Sequence, residues 1–124
     1  MILCNYCSNQ AILADSAEVY NGRSYGPIWV CHPCQAWVGC HKGTDKPLGR
    51  LANAMLRRLK MRAHSAFDRY WKNTKTTSRK QAYAALATVL GVSLDDCHIG
   101  MFDEDMCKRV IAVCASGELA IALR

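Results

Sequence analysis

The apolar positions change period once along the chain. Between residues 18 and 30 they come in two short runs: Glu18-Val19-Tyr20, then the pair Asn21-Gly22, then Pro27-Ile28-Trp29-Val30. Asn-Gly suits the left-handed residues of a tight turn, so the stretch predicts a β-hairpin. From Leu48 the period becomes helical. Leu48, Leu51, Ala52, Met55, Leu59, Ala63, Ala66 and Tyr70 recur at spacings of three and four, and Leu56, Phe67 and Trp71 widen the same face. With Asp45 as cap and Pro47 in the first turn, an amphipathic helix is expected over residues 47–72.

Further helices follow a polar linker, Asn73 to Thr77. Ser78-Arg79-Lys80-Gln81 has the form of a capping box, and Gly91 marks a stop, which predicts a helix over 79–90. Ser93 is placed to cap a short turn over 94–98. Asp103 precedes Glu104 and Asp105, acids that suit the positive end of a helix, and a third helix is expected over 104–115. Its inner face would hold Met106, Cys107, Val110, Ile111, Val113 and Cys114. The expected class is α+β, mostly α: an N-terminal four-cysteine zinc ribbon with a short hairpin, then about three helices. Residues 1–45 would form the ribbon module and 46–124 the helical region, together one compact unit.

About half of the 124 residues are hydrophobic (51%), enough for a core, though domains this small often need a staple. Eight cysteines offer one. Met1 to Cys7 has neither the basic start nor the apolar run of a signal peptide, and no stretch approaches the roughly 20 apolar residues of a membrane span. The expectation is a reducing cytoplasm, where paired cysteines serve as metal ligands rather than disulfides.

Cys4-Asn5-Tyr6-Cys7 and Cys31-His32-Pro33-Cys34 are two C-x-x-C pairs with 23 residues between them. Each such turn aims two thiolates at one ion, and two turns complete a tetrahedral site for one structural zinc. Trp29 and Trp37 would cover it. A catalytic zinc needs an open position, which a full set of four cysteines does not leave. Haem attachment needs a histidine after the second cysteine, and Ser8 and Gln35 stand there instead. Neither pair has the βαβ setting of a redox dithiol. Cys40-His41 follows closely and offers a substitute ligand. Cys97, His98, Cys107 and Cys114 offer a second set, although Cys107 and Cys114 lie on a core face.

Charge is unevenly placed. The net +6 divides into −1 over residues 1–41, +10 over 42–80 and −3 over 81–124. The candidate binding residues are Arg50, Arg57, Arg58, Lys60 and Lys72, opposite the apolar face of the long helix, and Arg62 and Arg69 at the edge of that opposite face, with Asp68 the one acid among them. Lys75, Arg79 and Lys80 continue the run. A surface with one sign of charge favours a polyanionic partner, nucleic acid or an acidic protein surface. The last helix starts with acids that repel phosphate, so it is not read as a recognition helix. His98 and Asp103 form a possible acid–base pair without a nucleophile or carboxylate cluster beside it, and His64 falls on the polar side of the long helix as a solvated residue.

Several stretches resemble a family of small, uncharacterised phage and prophage proteins described as zinc-finger-containing. They are the N-terminal C-x-x-C, Trp29-Val30-Cys31-His32-Pro33-Cys34-Gln35-Ala36-Trp37-Val38-Gly39, Pro47-Leu48-Gly49-Arg50-Leu51-Ala52, Ala63-His64-Ser65-Ala66-Phe67-Asp68 and Cys97-His98-Ile99-Gly100-Met101-Phe102-Asp103. The resemblance implies a viral or prophage origin, hence a host cytoplasm. From residues and resemblance together, the expectation is a non-enzymatic zinc-binding accessory protein that binds nucleic acid through its basic helix face. The alternative is a phage protein that binds and modulates a host complex such as a defence nuclease or polymerase. An enzyme using His98 and Asp103 is the weaker alternative.

Overall fold

A computed structural model describes residues 1–124. Three short strands, β1 (Ile12–Asp15), β2 (Pro27–Cys31) and β3 (Ala36–Gly39), form an antiparallel sheet in the order β1-β2-β3. Four helices follow: α1 (Ala54–Asp68), α2 (Arg79–Leu90), α3 (Glu104–Ser116) and α4 (Glu118–Ala122). The class is therefore α+β and mostly α, with one helix more than the sequence suggests. Contacts divide the chain into Met1–Arg57 and Arg58–Arg124, a boundary that falls inside α1.

In the first unit the hairpin differs from the expected one. The partner of β2 is Ile12–Asp15, with Leu13 opposite Trp29, and not Glu18-Val19-Tyr20. Ser16–Glu18 forms a 3₁₀ turn, capped by the Asp15 carboxylate, which accepts from the Ala17 N–H at 2.8 Å. Asn21 and Gly22 do take the positive φ of a tight turn (54° and 85°), but inside the longer β1–β2 connection. β3, which the sequence reading lacked, pairs with β2 through Trp29 opposite Val38 and Cys31 opposite Ala36.

Successive side chains of a strand point to opposite faces. One sheet face therefore carries Trp29, Cys31, Ala36 and Val38, which pack with Cys4, Ala11 and Leu51 into a small core. The other face carries Ile28, Val30 and Trp37. Trp37 thus stands on the side away from the cysteine core, a correction to its expected role over the metal, while Trp29 stays on the cysteine side.

The expected helix over 47–72 begins seven residues late. Residues 47–52 run beside β3, bridging Cys40 at Pro47 and Trp37 at Ala52, with a bend at 48–50 between: the Leu48 N–H donates to the Gly39 carbonyl (2.8 Å), and Trp37 and Ala52 exchange backbone bonds of 3.1 and 3.0 Å. The open edge of β3 needs partners for its backbone groups, and this segment supplies them in place of a first helical turn. The cap is Asn53, not Asp45: its Oδ1 accepts from the Leu56 N–H at 3.0 Å. Beyond Asp68 the chain continues in turns through Lys72 and leaves the helical direction at Asn73, φ 61°.

In the second unit the inner residues of α1 are Leu59, Ala63 and Phe67, spaced to share one face. The Phe67 ring lies 4.5 Å from that of Tyr83 on α2. Both bonds of the Ser78–Gln81 capping box are present, at 2.9 and 3.1 Å. Gly91 closes α2 in the left-handed conformation, φ 74°, that L-residues avoid. Asp103 caps α3 by accepting from the Met106 N–H at 2.9 Å. α4 packs on both α2 and α3 and buries Leu119 completely. No helix is long and apolar enough to cross a membrane.

Candidate metal centre

The two C-x-x-C turns converge. The sulfurs of Cys4, Cys7, Cys31 and Cys34 all lie within 4.8 Å of one another, and no other group of three or more metal-type side chains forms. Cys31 sits at the end of β2, and Cys34 in the turn that leads to β3. Each turn closes on its own backbone: the Ser8 N–H donates to the Cys4 carbonyl (2.9 Å) and the Gln35 N–H to the His32 carbonyl (3.1 Å). The residue after each second cysteine takes a positive φ, 66° at Ser8 and 50° at Gln35. The two turns thus share the left-handed residue after the second cysteine but close differently, four residues back in the first and three in the second.

The spacing fits a tetrahedral ion. Four sulfurs at about 2.3 Å from one zinc stand about 3.8 Å apart, and the Cys7 and Cys31 sulfurs are 3.7 Å apart. The Tyr6 N–H points at the Cys4 sulfur from 3.4 Å, a bond that stabilises a thiolate. Burial pushes the Cys4 thiol up, but the N–H groups of Tyr6 and Cys7 and the neighbouring thiols of Cys31 and Cys7 bring it down to about 7. Cys34 goes the other way: the Cys7 thiol, then burial and the thiols of Cys31 and Cys4, push it up to about 12. At Cys31 the Cys34 N–H pulls down, yet burial and the Cys7 and Cys4 thiols win and raise it. Four thiols this close cannot all ionise by themselves. A divalent cation removes that conflict, because it is the dominant local charge and holds every sulfur as thiolate.

The family model of a zinc-finger-containing domain matches residues 1–117. The chain belongs to this family. No curated protein and no solved structure matches it. In this zinc-finger-containing domain Cys4, Cys7, Cys31 and Cys34 hold one structural zinc ion, and the match extends through α3, so α1, α2 and α3 belong to the family's domain.

The remaining cysteines have other positions. Cys40 faces Pro47 in a β-bridge and, with His41, stands outside the cluster. Cys97, Cys107 and Cys114 are buried core residues, and burial pushes Cys114 up to about 11. Asp103 is engaged in capping α3, whereas His98 lines an open pocket with Arg79, Tyr83 and Asp95.

The basic residues separate into two groups. Arg57 is half-buried in the first unit: its guanidinium lies 3.5 Å from the centre of the Trp37 ring, and Nη1 donates to the Ala52 carbonyl at 2.6 Å. That is a structural position. Arg50 is half-buried in the bend before α1, and Lys60 is half-buried on the helix. Arg58, Arg62, Arg69 and Lys72 are exposed. Arg62 and Arg69 border a groove of about 520 Å³ whose apolar members are Met61, Ala66 and Ile111. The acid of this segment, Asp68, accepts from Trp71 Nε1 at 3.2 Å. His64 is not a solvated residue but half-buried, and desolvation, with help from Lys60 and Arg79 against Asp68, pulls its pKa below the ordinary value.

Proposed function

We propose that this zinc-finger-containing domain is a non-enzymatic accessory protein that binds nucleic acid through the exposed bases Arg58, Arg62, Arg69 and Lys72. The observation that carries the reading is their exposure on a segment whose one acid is engaged by Trp71. Such a surface meets phosphates by charge and reads little sequence. Four thiolates fill the zinc and leave no position for substrate, so the metal serves the fold. The phage or prophage setting, and with it a host cytoplasm, enters through the family resemblance.

The test is fluorescence anisotropy of zinc-loaded protein on random DNA and RNA at low and near-physiological salt. Binding should weaken steeply with salt. Reversing Arg58, Arg62 and Arg69 to Glu should abolish it while zinc content stays unchanged. On duplex DNA, neutralising the same three positions should flatten the salt slope by about 3. Unchanged affinity in the triple variant sinks the reading. Arg57 is left out of the variant because it holds Trp37.

The apolar members of the groove favour a second reading. Met61 is 69% exposed between arginines, which a phosphate-binding surface does not require. A phage protein that docks on a host protein complex would use it. That reading expects a stable complex from host lysate after nuclease treatment, and none from the Met61→Asp variant.

A further inference from the structure

The first unit has a pocket that neither the zinc nor the basic helix uses. It opens on the sheet face away from the four-cysteine cluster, with Cys40 in its lining, and has a volume of about 410 Å³. Its floor is Ile28 and Gly39, and Tyr20, Tyr25, Pro27 and Leu48 stand around it. Tyr25 is 68% exposed and Leu48 56%, so their packing does not explain why apolar side chains stand at these positions.

The pocket is held from below. Tyr20 accepts a hydrogen bond from Trp37 Nε1 at 3.2 Å, and its ring meets the Trp37 and Tyr25 rings edge-on, 6.1 and 5.4 Å between centres. The Tyr25 N–H donates to the hydroxyl of Ser16, a fully buried residue, at 2.6 Å. One aromatic ring is therefore anchored, and the other projects from a fixed backbone. The two bordering segments, 16–26 and 40–48, carry Arg23, Lys42 and Lys46 against Glu18 and Asp45, with Asp15 just before the first.

We propose that this pocket takes an unpaired nucleobase of a single-stranded nucleic acid, stacked on Tyr25. A base has two apolar faces and a polar edge, and an exposed tyrosine accepts the face of any base. The loop cations suit the adjoining phosphates. Bases in a duplex keep both faces stacked inside the helix and cannot enter, so the pocket gives the protein a preference for single strands. The inference rests on the nucleic-acid reading above, and adds a second contact and a strand preference to it.

The experiment compares zinc-loaded wild type, Tyr25→Ala and Tyr25→Phe on a single strand of about 12 nucleotides, in DNA and RNA form, and on the matching duplex. Wild type should prefer the single strand. Tyr25→Ala should lose about tenfold there, the value of one base–aromatic stack, and stay within about twofold on the duplex. Tyr25→Phe should keep the preference. Zinc content checks that the fold survives. Equal loss on both substrates, no loss on the single strand, or no strand preference in wild type overturns the pocket. In those cases salt-sensitive binding that still needs Arg58, Arg62 and Arg69 leaves the broader reading standing. Binding to neither substrate removes both.

Discussion

The two units are held together by different means. The second unit buries Phe67, Leu86, Leu90, Ile99, Phe102, Val110 and Leu119 among its helices, as an ordinary core does. The first unit packs one sheet face over a cluster whose buried members are Cys4, Ala11, Cys31, Ala36 and Leu51, four of them small, and besides these buries Ile28, Val30, Ala52 and Leu56. Short strands and small side chains leave little apolar area to offset the entropy of ordering. The four cysteines make up the difference. The lesson is that one chain can fold partly by burial and partly by coordination, and each part should fail under a different insult.

Removing the metal should have the largest effect. Structural zinc contributes about 10–16 kcal/mol in comparable small modules. A chelator, or Cys31→Ser, should therefore abolish hydrogen-exchange protection in β1, β2 and β3 while α2 and α3 keep theirs. Simultaneous loss of protection in all of them would break the comparison. Phe67→Ala is the converse insult. It should cost about 3–5 kcal/mol by denaturant unfolding, appear in α2 and α3, and leave zinc stoichiometry alone.

Next comes a pair of neighbours. Arg57→Ala removes a cation–π contact and a hydrogen bond to the Ala52 carbonyl and should cost about 1–3 kcal/mol. Arg57→Lys should restore little, because an ammonium lacks the planar fork. Arg58→Ala should fall within about 0.5 kcal/mol of wild type, as exposed substitutions do. Thermal melts of the zinc-loaded variants separate the two.

Acid sharpens the contrast further. His64 has its folded pKa pulled below the ordinary 6.5, chiefly by burial. Its contribution to the second unit is therefore complete above about 6.5 and is lost as pH falls through the lower folded value. The first unit loses stability over acid pH for another reason, protonation of its zinc thiolates. A metal-free sample titrated between pH 7 and 5 should keep the His64 decline, and His64→Gln should flatten it. The smallest effect belongs to Gln35→Gly. Relief of a positive φ of 50° should stabilise the zinc-loaded protein by about 0.5 kcal/mol, the residue's strain being partly offset by a freer unfolded chain.

Much of this was legible in the residues where the signal is local. The C-x-x-C turns, the capping box of Ser78 and Gln81, and Asp103 as the cap of α3 each rest on neighbours within a few positions. The nonlocal features were not. Ile12–Asp15 has no alternation to distinguish it, and becomes a strand because β2 offers an edge in register. Leu48, Leu51 and Ala52 fit a helical period, yet the backbone of β3 claims their segment. Likewise the basic run gave no hint that Arg57 belongs to Trp37, because the two are twenty residues apart in the chain.

Cys4, Cys7, Cys31 and Cys34 hold one zinc. Metal analysis together with zinc-edge X-ray absorption on the purified full chain decides whether they do. The expected result is one zinc per chain, four sulfur neighbours at about 2.3 Å, and loss of the metal in Cys4→Ser and Cys31→Ser. A folded, metal-free protein with the sheet intact, or a zinc bound through nitrogen or oxygen, would contradict it.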